Sequence, residues 1–214
     1  GLGDVYKRQV GYLIGIFLRK KISVLNPLLV SIIFVIAVIK IFHIDYETYN
    51  SGAKYISYLL TPATVCLAIP LYRQISVLKE HAKEVFIGIL AGVLASMGSI
   101  LLMSYLFGLT HEQYVTLLPK SITTAIGMGV SEELGGIQTI TVAVIIITGV
   151  LGNIIAEAVL KIFRIKEPVA KGLAIGTASH AIGTTKALEI GEIEGAMSSL
   201  SVAVAGLMLS LIHI

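Results

Sequence analysis

Two short stretches carry most of the polar chemistry of a chain that is otherwise strongly apolar. Ser121, Thr123 and Thr124 precede Gly127 in the first; Thr177, Ser179, His180, Gly183, Thr184, Thr185 and Lys186 crowd the second. Hydroxyl donors beside glycine-broken helix ends can hold a small carboxylate, because a helix N-terminus leaves N–H groups unpaired and carries partial positive charge. Such hydroxyls also satisfy carbonyls of their own helices, but their recurrence in two copies favours a site. His180 titrates near physiological pH and is a candidate for carrying a coupling proton or bonding a substrate. Lys186 has two open roles, as the partner of an anionic substrate or of Glu189. Glu133 and Glu189 are candidates either for proton carriers in partly desolvated positions or for caps of the helices that follow.

The two stretches are copies. Shifted by 56 residues, SITTAIGMGVSEELGGI (121–137) falls on TASHAIGTTKALEIGEI (177–193). Ala125, Ile126, Gly127, Glu133, Gly135 and Ile137 recur as Ala181, Ile182, Gly183, Glu189, Gly191 and Ile193. Ser121/Thr177 and Thr123/Ser179 keep a hydroxyl, and His180 stands where the first copy has Thr124. Roughly one identity is expected by chance, and self-similarity of this kind is an architectural signal.

The elements that must position these copies are membrane helices. The 214 residues are 56% hydrophobic and 14% charged, with a mean hydropathy of +0.90; soluble domains carry about 25% charged residues. Apolar segments fall at 10–18, 22–42, 55–72, 84–108, 137–160 and 195–212. An all-α integral membrane protein follows, since only internally bonded backbone survives in lipid. About six membrane spans are expected, with two re-entrant, broken helical hairpins forming an inverted repeat. Arg19, Lys20 and Lys21, then Arg73, Lys79 and Lys83, then Lys161, Arg164, Lys166 and Lys171 mark three cytoplasmic loops by the positive-inside rule. Tyr46, Tyr49, Tyr55 and Tyr58 fit an interfacial belt on the outer side.

With loop 109–116 outside and loop 161–171 inside, the single span 137–160 already accounts for the change of side. The stretch 117–136 must then enter and leave on one face, and its copy on the other. Short helices are expected at 117–126 and 170–182, with loops opening at Gly127 and Gly183. Paired broken segments of this kind mark transporter sites near the midplane. Asn153 and Glu157, four apart, form a polar stripe on the span 137–160 that is expected to face the bundle and contact the hairpins. Glu132, Glu192 and Glu194 read as interfacial. Pro62 and Pro70 flank Cys66 and suggest a kink in the third segment.

Several classes are excluded or unsupported. The net charge of +3 carries no basic-aromatic patch that would suit nucleic acid. One cysteine, Cys66, allows neither an intramolecular disulfide nor a cysteine-based metal site, and no metal or other cofactor is expected. No HExxH, GxSxG or Walker loop is present, so an enzyme is not expected. Residues 1–9 and 209–214 resemble translated adapter remnants and are set apart from the fold. This leaves N-terminal helices over 10–116 and the hairpin region with two spans over 117–208.

PKSITTAIGMGVSEELGG (119–136) and GLAIGTASHAIGTTKALEIGEIEGAMSSLSVAVAGLM (172–208) resemble the two signatures of the LrgB/CidB family, and the resemblance extends over residues 10–208. It implies a multi-pass protein of the bacterial inner membrane, of a type described as antiholin-like. Such proteins modulate murein hydrolase export and autolysis beside a small holin-like partner of the LrgA/CidA type. Fused forms resemble the plastid glycolate/glycerate transporter, and bacterial pairs are tied to pyruvate movement. The expectation is therefore a carrier of a small monocarboxylate, bound between the hairpins and moved by alternating access; the alternative is an antiholin- or holin-like role. A homo-oligomer is open, and the bilayer is the common partner of both readings.

Overall fold

The computed structural model describes residues 9–17, 27–45, 48, 49, 51, 55, 58, 62, 66 and 68–213. Among the described residues every regular element is a helix. The chain divides into two compact units, residues 1–66 and 67–214.

In the first unit, residues 9–17 are helical and α1 spans Pro27–Ile41. Gly11 allows them close contact, since a Cβ there would meet Phe34 Cδ1 at 2.9 Å. Val35 packs with Tyr49. The basic run 19–21, Tyr46 and half of the expected segment 55–72 lie outside the described residues.

The second unit opens with α2 (Ala68–Arg73) and α3 (Ile75–Glu80). Next come α4 (Ala82–Phe107), α5 (His111–Leu117), α6 (Thr124–Glu133), α7 (Gln138–Ile162), α8 (Pro168–Ile190) and α9 (Glu192–His213). Local chemistry sets these ends. Gly108 closes α4 at φ 63°, a left-handed conformation that glycine adopts without steric cost. Thr110 and Gln113 form a reciprocal capping box on α5, satisfying two otherwise orphaned N–H groups. Pro168 occupies the first turn of α8, where its missing donor is not needed.

Three of these helices are long and apolar enough to cross a membrane: α4, α7 and the Glu192–Leu209 part of α9. Their outward residues are greasy. Ile87, Leu101, Leu102 and Tyr105 of α4, and Ile147, Leu151 and Ile155 of α7, are all exposed. The interior, by contrast, buries Ser131, Thr141, Thr184, Ser198 and Ser201 completely. Apolar surface outside and hydroxyls inside is the arrangement expected where lipid replaces water and small polar residues join helices. This is a membrane protein by construction.

The core lies where α4, α8 and α9 meet. Val85, Ile89 and Val93 pack with Leu173, Ala196, Met197 and Ala205. Gly176 lets α8 approach α9 until a Cβ there would stand 2.9 Å from Ser198 Cα, and Thr184 Oγ1 and Ser198 Oγ share a hydrogen bond of 2.8 Å.

Candidate functional site

Both copies of the repeat are interrupted, and at neighbouring positions. In the first, the chain turns over 118–123 between α5 and α6. In the second, α8 is interrupted at His180, whose backbone (φ 43°, ψ −144°) is non-helical. Thr124, the first residue of α6, and His180 are the equivalent pair. A Cβ on Gly127 would stand 3.4 Å from Pro119 O, and one on Gly183 would stand 3.3 Å from Ile175 O. These contacts are themselves related by the 56-residue shift. Residues eight apart in a straight helix are separated by about 12 Å, so each stretch folds back on itself. The expected loops at Gly127 and Gly183 are therefore corrected: both glycines lie inside helices. They are glycine because the returning half must pack closely against the entering half.

The open ends of the two copies lie at opposite ends of α7. Ile137 N donates to Thr116 Oγ1 at 2.8 Å, closing the first copy at the start of α7. Lys171 and Glu189, from the entering and returning halves of the second copy, line one pocket with Lys161 at the end of α7. The turns meet the middle of α7. Ile145 packs towards Gly127, and its carbonyl lies 2.9 Å from His180 Nε2. Gly149 and Gly152 provide room for His180 and Ser179. His180 is thus buried and tied to α7, in a backbone region that costs a non-glycine residue of order 1–3 kcal/mol.

A cavity of about 880 Å³ lies between α4, the 119–121 turn and the entering half of α8. His81, Glu84 and Glu167 line it at the end where α4 and α8 begin; Ser96, Lys120, Ser121 and Thr177 line it further along. Ser121 and Thr177 are repeat equivalents, so the copies contribute matched hydroxyls to one space. Lys120 Nζ donates to Ser121 Oγ at 2.9 Å and to Ser96 Oγ at 3.5 Å. Ser96 Oγ in turn donates to Ser121 Oγ at 3.1 Å. An ammonium has three donors and no acceptor, and among the described residues no carboxylate pairs with Lys120. A cation in an otherwise mostly apolar cavity, set among hydroxyls, can hold a small carboxylate by charge-assisted hydrogen bonds.

The expected site residues therefore divide. Ser121 and Thr177 line the cavity, although Thr177 Oγ1 also donates to Leu173 O of its own helix. Thr123, the N-cap of α6, and Thr124 stand at the first break without lining the cavity. Ser179, His180, Gly183 and Thr184 pack in the second copy, and Thr184 Oγ1 bonds His180 O at 3.1 Å and Ser198. Lys186 is engaged elsewhere: its Nζ lies 2.6 Å from Glu157 and 3.1 Å from Glu189. Of its two open roles, the ion pair is the one observed. Glu133 ends α6 in an exposed position. Asn153 contacts the second copy as expected, donating to Ile182 O at 3.0 Å and to Thr185 Oγ1 at 2.9 Å. Glu194, expected at the interface, is buried and lies 3.6 Å from Lys171.

Lys120 and Ser96 are the residues that sequence reasoning missed. The available signal was a lysine directly after Pro119 at a predicted broken segment; it was hidden because Gly176 occupies the equivalent place in the second copy.

Comparison with known proteins places this geometry in context. The LrgB-like family model matches residues 10–214. The chain is 38% identical over 202 residues to the antiholin-like protein LrgB of Bacillus mycoides (strain KBAB4), covering 93% of this chain and 88% of the relative. The same figures hold for the antiholin-like protein LrgB of Bacillus cereus (strain B4264). It is also 38% identical over 196 residues to the uncharacterized protein YxaC of Bacillus subtilis (strain 168), covering 92% of this chain and 85% of the relative. No solved structure matches.

Proposed function

We propose, since this chain belongs to the LrgB-like family, that it acts as an antiholin-like protein of the bacterial cytoplasmic membrane. In this role it is multi-pass, stands beside a small holin-like membrane partner, and restrains the permeabilisation that accompanies murein hydrolase export and autolysis. The observation that carries the reading is the 38% identity over 93% of the chain to relatives named antiholin-like protein LrgB. The apolar outer faces of α4 and α7 support an action within the bilayer. The test is an autolysis assay in a host lacking its own copy. Loss of the gene is expected to hasten lysis and re-expression to delay it again; unchanged lysis curves would oppose the reading.

A second reading is favoured by one observation, the cavity holding Lys120 among Ser96, Ser121 and Thr177. In it the protein carries a small monocarboxylate, such as pyruvate or glycolate, and the two copies are re-entrant hairpins entering from opposite faces. His81, Glu84 and Glu167 would then mark the cytoplasmic mouth of the cavity, because the basic loops put the start of α4 on that side. Alternating access would move one copy against the other. Saturable uptake of labelled pyruvate into vesicles holding the full-length protein and its small partner is expected. Non-saturable leakage of unrelated solutes would favour a permeability role alone.

A further inference from the structure

A second pocket, of about 530 Å³, lies where α7 ends and α8 begins and returns. Its apolar lining is Leu160, Ile165 and Ile190, the first buried and the other two half-buried. Its charged lining is Lys161, Arg164, Lys166 and Lys171, against two carboxylates, Glu157 and Glu189. Both carboxylates engage Lys186, and Lys171 pairs with Glu194. Among the described residues no ion pair engages Lys161, Arg164 or Lys166. The positive-inside rule accounts for cations at this end of α7. It does not account for their gathering round one concavity whose carboxylates are drawn off to Lys186.

Arg164 is held there against its backbone preference. It takes a left-handed conformation, φ 55°, at a helix end that most often falls to glycine. Its N–H donates to Lys161 O at 3.1 Å, and Ile165 N to Leu160 O at 2.9 Å. Glycine would make both bonds without steric cost, so what arginine adds is its guanidinium, a planar donor that meets phosphate through two parallel hydrogen bonds. Three unpaired cations call for more than one negative charge, and a phosphate monoester carries about 1.5 to 2 near neutral pH. The pocket's volume lies within the range of small-molecule sites, roughly 300–1,000 Å³, where an apolar wall and a few convergent polar groups share the work. The occupant is soluble. Exposed Ile155, Val159 and Ile162 lie, by the 3.6-residue period, across α7 from the pocket residues Glu157, Leu160, Lys161 and Arg164, so that greasy face does not adjoin the basic rim.

We propose that this pocket binds a soluble phosphate monoester with a compact apolar or aromatic body. The phosphate sits among Lys161, Arg164 and Lys166, and the body lies against Leu160, Ile165 and Ile190. Lys161 and Arg164 come from the end of α7, whereas Lys171 and Ile190 come from the two halves of the second copy. An occupant therefore ties that copy to α7 at its open end. The site is separate from the Lys120 cavity and rests on neither functional reading.

The experiment uses the full chain in detergent at low salt, with phenyl phosphate as the probe and binding read by calorimetry. Saturable binding is expected, about tenfold or more tighter than that of inorganic phosphate, which has no body to bury against the apolar wall. The triple variant Lys161→Gln, Arg164→Gln, Lys166→Gln is expected to bind at least about tenfold more weakly. Lys79→Gln with Lys83→Gln, on the same side but outside the pocket, keeps wild-type affinity. Arg164→Gly separates binding from folding. Glycine suits φ 55°, so the unfolding midpoint should hold or rise while affinity for phenyl phosphate falls about fivefold or more. No saturable binding by wild type, equal binding by the pocket variants, or equal loss in the control would overturn the proposal. Phenyl phosphate binding no tighter than inorganic phosphate would overturn the apolar wall as part of the site. Short-chain phosphatidylglycerol that stays bound against excess phenyl phosphate, and is lost in the triple variant, would overturn the soluble occupant.

Discussion

The two copies of the repeat share a backbone plan and differ in what their cations do. The first breaks just before Thr124 and the second at its equivalent, His180, and both press a glycine, 127 or 183, against the entering half. Yet the first copy places Lys120 in a cavity with only hydroxyl partners among the described residues, whereas the second binds Lys186 between two glutamates. A duplicated scaffold has thus kept its packing and diverged in charge. The lesson is that repeat-matched positions report architecture, and the chemistry lies at an unmatched one. Lys120 has Gly176 as its counterpart, and Lys186 has Val130.

The largest effect should come from breaking the first side of that contrast. Lys120→Met removes a charge-assisted group worth about 1.5–3 kcal/mol. Uptake of labelled carboxylate should fall by about ten- to a hundredfold, with the unfolding midpoint in detergent little changed. If uptake by this variant matches wild type, Lys120 plays no part in holding an anion.

The shared packing is tested next. Gly183→Ala puts a Cβ at 2.5 Å from Ser179 Cβ, and Gly127→Ala puts one at 2.5 Å from the flexible tip of Ile145. Overpacking costs typically 1–3 kcal/mol, and the second copy should suffer more, because Ile145 Cδ1 can move aside. Gly129 has nothing within 4 Å, so Gly129→Ala should stabilise by about 0.5–1 kcal/mol through helix propensity. Chemical unfolding of the three variants gives the ranking; equal losses at 127, 129 and 183 would mean that close approach is not what these glycines provide.

Asn153→Leu removes two hydrogen bonds from α7 to the second copy and should cost about 1–2 kcal/mol. Faster amide exchange over residues 181–186 than over 124–129 is the expected signature. The smallest effect should come from Lys186→Met. Its glutamate partners are half exposed, 50% and 51%, and such pairs contribute about 0–1 kcal/mol. Carboxylate uptake within a factor of about two of wild type is expected. A collapse like that of Lys120→Met would erase the distinction between the copies.

The long elements were legible in the residues. The apolar runs at 84–108, 137–160 and 195–212 correspond to α4, α7 and α9 within a few residues, because hydropathy alone specifies such helices. The existence of two interrupted stretches was legible from the 56-residue repeat. Where they break was not. Glycine was read as a helix breaker at 127 and 183, while tertiary packing uses it there for close approach. The second turn is made by His180, inside a run, 169–190, that carries no proline to announce it. The partner of Lys186 was one of two readings open in the sequence, since Glu189 lies three residues on; Glu157, from a different helix, became a partner only through the fold. Lys120 was masked by the comparison that exposed everything else, having no counterpart in the second copy.

Ser121 and Thr177, equivalent residues of the two copies, share one cavity beside α4. Cross-linking tests this most directly, with Ser121→Cys and Thr177→Cys placed together in a Cys66→Ser background within native membranes. Short bifunctional thiol reagents should join the pair in high yield, and excess pyruvate should slow the reaction if Lys120 holds a carboxylate there. Failure to cross-link with any short reagent, while a Gly149→Cys and Ile182→Cys control pair reacts, would place Ser121 and Thr177 in separate spaces.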